Sequence, residues 1–326
     1  MTLHINEAEV RSVLTMAMAL EAVEESLRKQ ARGEVVVQPR RRFELPKGFY
    51  HYMAAADYAG GFVAEKQYTY VSGKIRFLVL LYEMATGDLV AQIEADYMGQ
   101  LRTGAASGVA TNLMARRDAR LAAIIGTGGQ ARTQLEAIAG VRKLEMVRAY
   151  GRNVARREKF CADMAERLRI PVYAATSAAQ TIEGADIVCT ATTASQPVVT
   201  GSDIAPGMHI NAIGVNHAHK QELDEEAVRR ADLIAVDSIE QSRQEAGDLI
   251  MAFGQDESKW SSVKKLADIV NGKIPGRSSD SEVTLFKSNG IASWDLAVAV
   301  RVWTLAREKG LGRKLPLWTN TYDAGT

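Results

Sequence analysis

Apolar and charged positions alternate at helical spacing over residues 6–33. Ala19, Leu20, Val23 and Leu27 recur on one face, and Gly33 stops the run. The period then changes. Residues 35–45, 49–55, 62–71 and 75–82 read as successive strands, punctuated by Pro46-Lys47-Gly48, Gly60-Gly61 and Ser72-Gly73. A turn at Ala85-Thr86-Gly87-Asp88 precedes one more strand at 89–93, so this part predicts a mostly antiparallel sheet. Residues 96–116 return to a helix, and its run Gly104-Ala105-Ala106-Ser107-Gly108 predicts close approach of another element. Past Arg117-Asp118 the apolar run 121–125 reads as a buried parallel strand, with a helix at 132–140 after it. Further strands are expected at 146–150, 172–174, 187–190, 209–213 and 233–236, with helical segments between them.

Such alternation predicts an α/β fold with a doubly wound parallel (Rossmann) sheet over residues 116–295. A smaller α+β domain is expected from residues 1–115 and 296–326, with the last long helix, 291–309, returning the chain to it.

Composition narrows the function. With 40 basic against 39 acidic residues in 326, the net charge is +1, which signals neither a nucleic-acid nor a membrane-surface partner. Apolar content of 47% and charged content of 24% suit a globular protein. No apolar run approaches the roughly 18 residues of a membrane span, and Glu7 and Glu9 break any signal-peptide pattern, so the chain is expected in the cytoplasm. Cys161 and Cys189 read as buried thiols rather than a disulfide or a metal site.

The chemistry starts at Gly126-Thr127-Gly128-Gly129-Gln130-Ala131, between the strand at 121–125 and the helix after it. That is the context in which G-x-G-x-x-G/A means dinucleotide binding. Gly126 permits the tight turn, Gly128 lets a pyrophosphate approach the backbone, and Ala131 takes the third small position. The helix N-terminus offers free N–H groups and partial positive charge to the phosphates. An ordinary tight strand-to-helix turn would show the same glycines. At the end of the second strand, Tyr150-Gly151-Arg152-Asn153 carries no acid for a ribose 2′-hydroxyl. Arg152 can instead fork onto a 2′-phosphate, with Arg156 and Arg157 one turn on. NADP(H) is therefore favoured, with NAD(H) left open; a solvated basic helix start is the plainer alternative.

Five motifs carry a resemblance. They are Arg102-Thr103-Gly104-Ala105, the glycine turn, His209-Ile210-Asn211-Ala212-Ile213-Gly214, Lys220-Gln221-Glu222-Leu223-Asp224 and Glu245-Ala246-Gly247-Asp248-Leu249. In this order the chain resembles the ornithine cyclodeaminase/mu-crystallin family. The resemblance implies a homodimer joined through the first domain, with the active site in the cleft between domains. It implies that Arg41, Lys66 and Arg102 hold a substrate carboxylate, and it adds Thr103, Thr190, Thr192 and Gly214 to the cofactor side with Asn153. Two positions depart from the cyclodeaminase pattern. Asn216 stands where cyclodeaminases carry an Asp, and an amide cannot take a proton as a base. His51 stands where they carry a Glu, close before Met53; it reads as an acid/base or as a half-buried strand histidine. His217 and His219 flank Asn216 as loop residues, and no third metal ligand accompanies them.

These residues imply an NAD(P)H-dependent reductase of α-imino acids. Arg41, Lys66 and Arg102 would fix the carboxylate, Lys66 or His51 would supply a proton, and Asn216 would orient the nitrogen. A cyclic imine such as pyrroline-2-carboxylate is the first substrate expected, and pyruvate with ammonia the second. The rivals are an ornithine cyclodeaminase with bound NAD and a non-catalytic NADP-binding protein.

Overall fold

The computed structural model describes residues 1–317; residues 318–326 of the expected first domain lie outside the described residues. Two sheets dominate. The first holds β1 (Thr2–Ile5), β2 (Val35–Leu45), β3 (Gly48–Asp57), β4 (Phe62–Val71), β5 (Lys74–Glu83) and β6 (Leu89–Glu94). The second holds β7 (Leu121–Ile125), β8 (Met146–Tyr150), β9 (Val172–Ala174), β10 (Ile187–Thr190), β11 (His209–Ala212), β12 (Leu233–Val236), β13 (Lys264–Lys265) and β14 (Thr284–Lys287). A last strand, β15 (Arg313–Leu315), returns to the edge of the first sheet beside β1.

The first sheet runs β15-β1-β6-β5-β4-β3-β2, antiparallel except where β1 meets β6. The second runs β13-β12-β14-β11-β10-β7-β8-β9, with every recorded pairing parallel. After β7 the chain builds outward to β9, then crosses back to place β10 on the other side of β7. The strand order reverses there, and in such sheets the crevice at the carboxyl ends of the two flanking strands receives ligands.

Five elements depart from the sequence expectation. The helix at 6–33 is two helices, Glu7–Val13 and Met16–Ala31. Leu14 is extended, and Thr15 caps the second helix by accepting from the Met18 N–H at 3.3 Å. Strands β1, β13 and β15 are too short to show alternation, and β13 and β15 lie at sheet edges. Strand β14 is hidden because its four residues end in Lys287, which reads as polar although it is fully buried.

The helix Asp96–Met114 explains its small residues. A Cβ on Gly104 would stand 2.4 Å from the Thr133 carbonyl oxygen, in the helix Gly129–Val141. The two helices therefore touch backbone to backbone, and the Arg102 end of one is locked beside the glycine turn that opens the other. The helix Ala292–Glu308 packs on β3, β4 and the helix Met16–Ala31. Cys161 and Cys189 are buried, unpaired thiols. No helix of the described residues is long and apolar enough to cross a membrane.

Candidate active site

A cleft of about 370 Å³ opens at the carboxyl ends of β7 and β10, with the first sheet as its other wall. Gly128, Gly129, Gln130, Thr192 and Gly214 line one side; Arg40, Met53, Lys66, Tyr68, Phe77, Arg102 and Thr103 line the other.

On the first side the turn is built as its residues require. Gly126 has φ 112°, and a Cβ there would lie 2.4 Å from the Ala191 carbonyl oxygen. Only glycine fits. Gly128 caps the helix Gly129–Val141 in extended conformation, without a side-chain cap. A Cβ on Gly128 would meet nothing within 4 Å. The helix thus presents uncapped N–H groups to open space, which fits a dinucleotide phosphate. Ala131 is fully buried against the sheet. Thr127 abuts Gly151 at the end of β8.

Arg152 and Arg156 are exposed there, whereas Arg157 is buried and donates to the Gly151 carbonyl at 3.1 Å. The Asn153 side chain accepts from the Arg156 N–H, so it caps the next helix. Thr190 does not open onto the cleft. It is fully buried and donates to Glu222 at 2.9 Å. Glu222, part of the Lys220–Asp224 motif but given no role from sequence, also accepts from the Thr192 N–H and hydroxyl and from the Gly214 N–H.

Across the cleft the positive charge is concentrated. Lys66 and Arg102 share one oxygen of Asp295, at 2.8 and 3.1 Å. All three are buried, and Asp295 sits in the first turn of the helix Ala292–Glu308. Burial and the neighbouring Arg102 guanidinium hold the Lys66 ammonium down at about 8, against the pull of Asp295. Arg102 Nη1 is buried without a hydrogen-bond partner among the described residues, as is Arg40 Nε.

The expected role of Arg41 is corrected by the pleat of β2. Alternation from Val35 and Val37 would turn Arg41 inward. Instead the register against β3 gains one residue between Gln38 and Arg41. This bulge contains Pro39, which has no N–H for the ladder. One extra residue flips the pleat. Arg40 is buried, and Arg41 is exposed. Arg40 pairs with Glu245 at 2.6 Å and donates to the Asn289 carbonyl at 2.9 Å. Arg42 donates to the Asn216 carbonyl at 2.7 Å.

His51 is also placed differently from its expected role. It does not line the cleft but stands behind Tyr68, with Nδ1 2.6 Å from the Tyr68 hydroxyl and its ring stacked on Phe49. Burial, then Arg42 and Arg40, pull its imidazole down to about 3, so it is neutral at ordinary pH. His217 is pulled down to about 4, burial first and Arg42 next. Asn216 lines the cleft.

The profile of the ornithine cyclodeaminase/mu-crystallin family matches residues 2–310. The chain belongs to this family. Among its relatives, the Delta(1)-pyrroline-2-carboxylate reductase of Bacillus cereus is 38% identical over 242 residues, 74% of each chain. The structure of the Thermococcus litoralis Delta(1)-pyrroline-2-carboxylate reductase in complex with NADH and L-proline superposes with a TM-score of 0.91. It is 34% identical and covers 96% of this chain and all of the other. An archaeal alanine dehydrogenase dimer with bound NAD gives 0.90 at 32% identity, over 97% and 99% of the two chains.

Within the ornithine cyclodeaminase/mu-crystallin family the glycine turn and the Lys66–Arg102 pair are legible from sequence. Arg40, Tyr68 and Asp295 are not singled out there, and Glu245 stands in a motif without an assigned role. Tyr68 could have been found, because it lies two residues after Lys66 on a strand and so shares its face. The other three depend on a bulge and on helices from the far end of the chain.

Proposed function

We propose that this chain is an NAD(P)H-dependent reductase of α-imino acids. Its first substrate is a cyclic imine such as pyrroline-2-carboxylate, and its second reaction is reductive amination of a small 2-oxo acid such as pyruvate. The charge balance beside the glycine turn carries the reading. Arg40, Lys66 and Arg102, with Arg42 also reaching Glu245, face Asp295 and Glu245, so cations outnumber anions and positive charge is left for a carboxylate. Arg102 Nη1 and Arg40 Nε supply unspent donors. Fork and point charge together fix a small carboxylate in one orientation.

The uncapped helix at Gly129, with Thr192 and Gly214 opposite, would hold the dinucleotide. When bound, the nicotinamide supplies hydride to the C=N carbon beside the carboxylate. The protein's own share is orientation and electrostatics, with water reduced by Met53, Phe77 and Ile213 along the cleft. Arg152, exposed at the end of β8 with no acid beside it, supports a preference for NADP(H). Titration calorimetry is expected to show tighter NADPH than NADH, with the order reversed in Arg152→Asp. The named dimer of the archaeal relative, and the exposed Phe43, Tyr70 and Ile75 on β2, β4 and β5, support a homodimer joined through the first sheet.

Asn216 favours reduction over cyclodeamination. Release of ammonia from an amino acid first requires a base to take a proton from the substrate ammonium, and an amide cannot serve. The test runs two assays side by side. NAD(P)H oxidation with cyclic and acyclic α-imino acids is expected, with negligible ammonia and proline from ornithine and catalytic NAD. Proline from ornithine at several turnovers per bound cofactor, with no net change in NADH, would refute the reductase reading.

A further inference from the structure

Tyr68 lines the cleft and pairs with no charged side chain among the described residues. Tyr68 follows Lys66 by two residues on β4, so both project from one face. On β3, His51 pairs directly opposite Tyr68 and Met53 opposite Lys66, while Phe77 faces Tyr68 from β5. Three strands thus place a row of His51, Tyr68 and Phe77 next to the row that carries Lys66. The other cations of the cleft are engaged: Lys66 and Arg102 by Asp295, Arg40 by Glu245. The Tyr68 hydroxyl has one recorded partner among the described residues, His51 Nδ1 at 2.6 Å.

We propose that Tyr68 is the residue that meets the substrate nitrogen and gives it a proton, and that His51 is the positioning residue that aims the Tyr68 hydroxyl into the cleft. The assignment rests on the imine-reductase reading. His51 is buried, edge-on to the Tyr68 ring and stacked on Phe49, so its ring cannot turn freely. A neutral imidazole with its proton on Nδ1 donates to the Tyr68 oxygen, leaving the phenolic O–H to point at the ligand. In the step itself the Tyr68 O–H bond breaks and an N–H bond forms at the imine nitrogen. The adjoining carbon gains the hydride that the bound nicotinamide supplies, and C=N becomes C–N. The phenolate left behind keeps the His51 N–H as a donor and lies near enough to Arg40 and Arg42 to feel their charge, all of which favour negative charge on that oxygen. Water returns its proton. Lys66, held by Asp295 and facing the carboxylate, is then free of the donor role.

The experiment measures kcat and KM for pyrroline-2-carboxylate in wild type, Tyr68→Phe, His51→Leu and His51→Asn, with NADH binding followed by fluorescence in each. Tyr68→Phe is expected to lower kcat about 100-fold or more, the scale of a lost general acid, with KM and NADH affinity within threefold. His51→Leu should lower kcat about tenfold, and His51→Asn, whose amide can donate in place of Nδ1, should recover most of that loss. A kcat for Tyr68→Phe within threefold of wild type overturns the assignment, as does a loss confined to KM. If Tyr68→Phe does not fold, the His51 pair decides: equal losses in Leu and Asn overturn the proposal, and recovery in Asn supports it. An inactive wild type would instead overturn the reductase reading, and this assignment with it.

Discussion

Replacing Arg40 and Arg41 in turn separates two neighbours that differ only in which side of β2 they occupy. Arg40→Ala removes the 2.6 Å partner of Glu245 and two donors to the Asn289 and Gly290 carbonyls. Breaking a buried ion pair from one side costs about 3–5 kcal/mol. Glu245 keeps Gln241 Nε2 at 3.0 Å and Arg42 at 3.4 Å, so the lower end, about 3 kcal/mol, is expected. That corresponds to a melting temperature lowered by roughly 4 °C for a chain of this size. If Arg40 also holds the substrate carboxylate, a loss of about 2–5 kcal/mol in kcat/KM follows, roughly 30-fold to several thousandfold. Arg41 is exposed and makes no recorded side-chain hydrogen bond among the described residues, so Arg41→Ala should stay within about 0.5 kcal/mol on both counts. Differential scanning fluorimetry and imine-reduction kinetics on both variants provide the check. A larger kinetic loss in Arg41→Ala than in Arg40→Ala would refute the bulge as the device that selects the arginine.

Two further predictions follow from the same cleft. Lys66, held at about 8, is charged below that pH and neutral above it. The inhibition constant of a small carboxylate with no other titrating group, such as cyclopentanecarboxylate, should therefore be flat up to about pH 8 and weaken above it. Lys66→Arg, charged throughout, should remove that limb; a wild-type profile unchanged to pH 10 would contradict the role. Gly128→Val places a side chain where a Cβ meets nothing, so the apo protein should melt as wild type does, while NADH affinity falls tenfold or more by fluorescence titration. Undiminished NADH binding would mean that the dinucleotide does not cross this turn.

What the chain discloses in advance follows the range of the interactions. The glycine turn is legible because a tight turn, a close approach and a helix start are all local demands on consecutive residues. The small-residue helix is legible for the same reason: Gly104 and its neighbours have no purpose in a helix except to admit another element. Arg40 is not legible, because alternation along β2 predicts the wrong arginine and only pairing against β3 reveals the extra residue at Pro39. Strand β14 is obscured because Lys287 is satisfied by Asp248 and the Val215 carbonyl, partners 39 and 72 residues away. Asp295 is likewise 229 residues from Lys66. The return of the last helix is expected from its length and apolar content, but that its first turn sets Asp295 at the cation pair is announced by no local pattern. His51 and Tyr68 lie between these cases: the two-residue period places both on one face, but their contact needs the strand register.

Glu222 has a mechanical consequence. One carboxylate accepts from the backbone of Thr192 after β10 and of Gly214 after β11. Its own N–H and that of Leu223 are gripped by Asp248, which is paired to Lys287 at the end of β14. Three strand ends are therefore riveted together, and none can swing without stripping a buried charge of its donors. The lip of the parallel sheet behaves as a single stiff jaw. Any widening of the cleft to admit or release a ligand then falls on the stitches between the sheets, and the softest of these is Arg42 to the Asn216 carbonyl, half-buried, since Arg40 is held at once by Glu245 and by the Asn289 and Gly290 carbonyls.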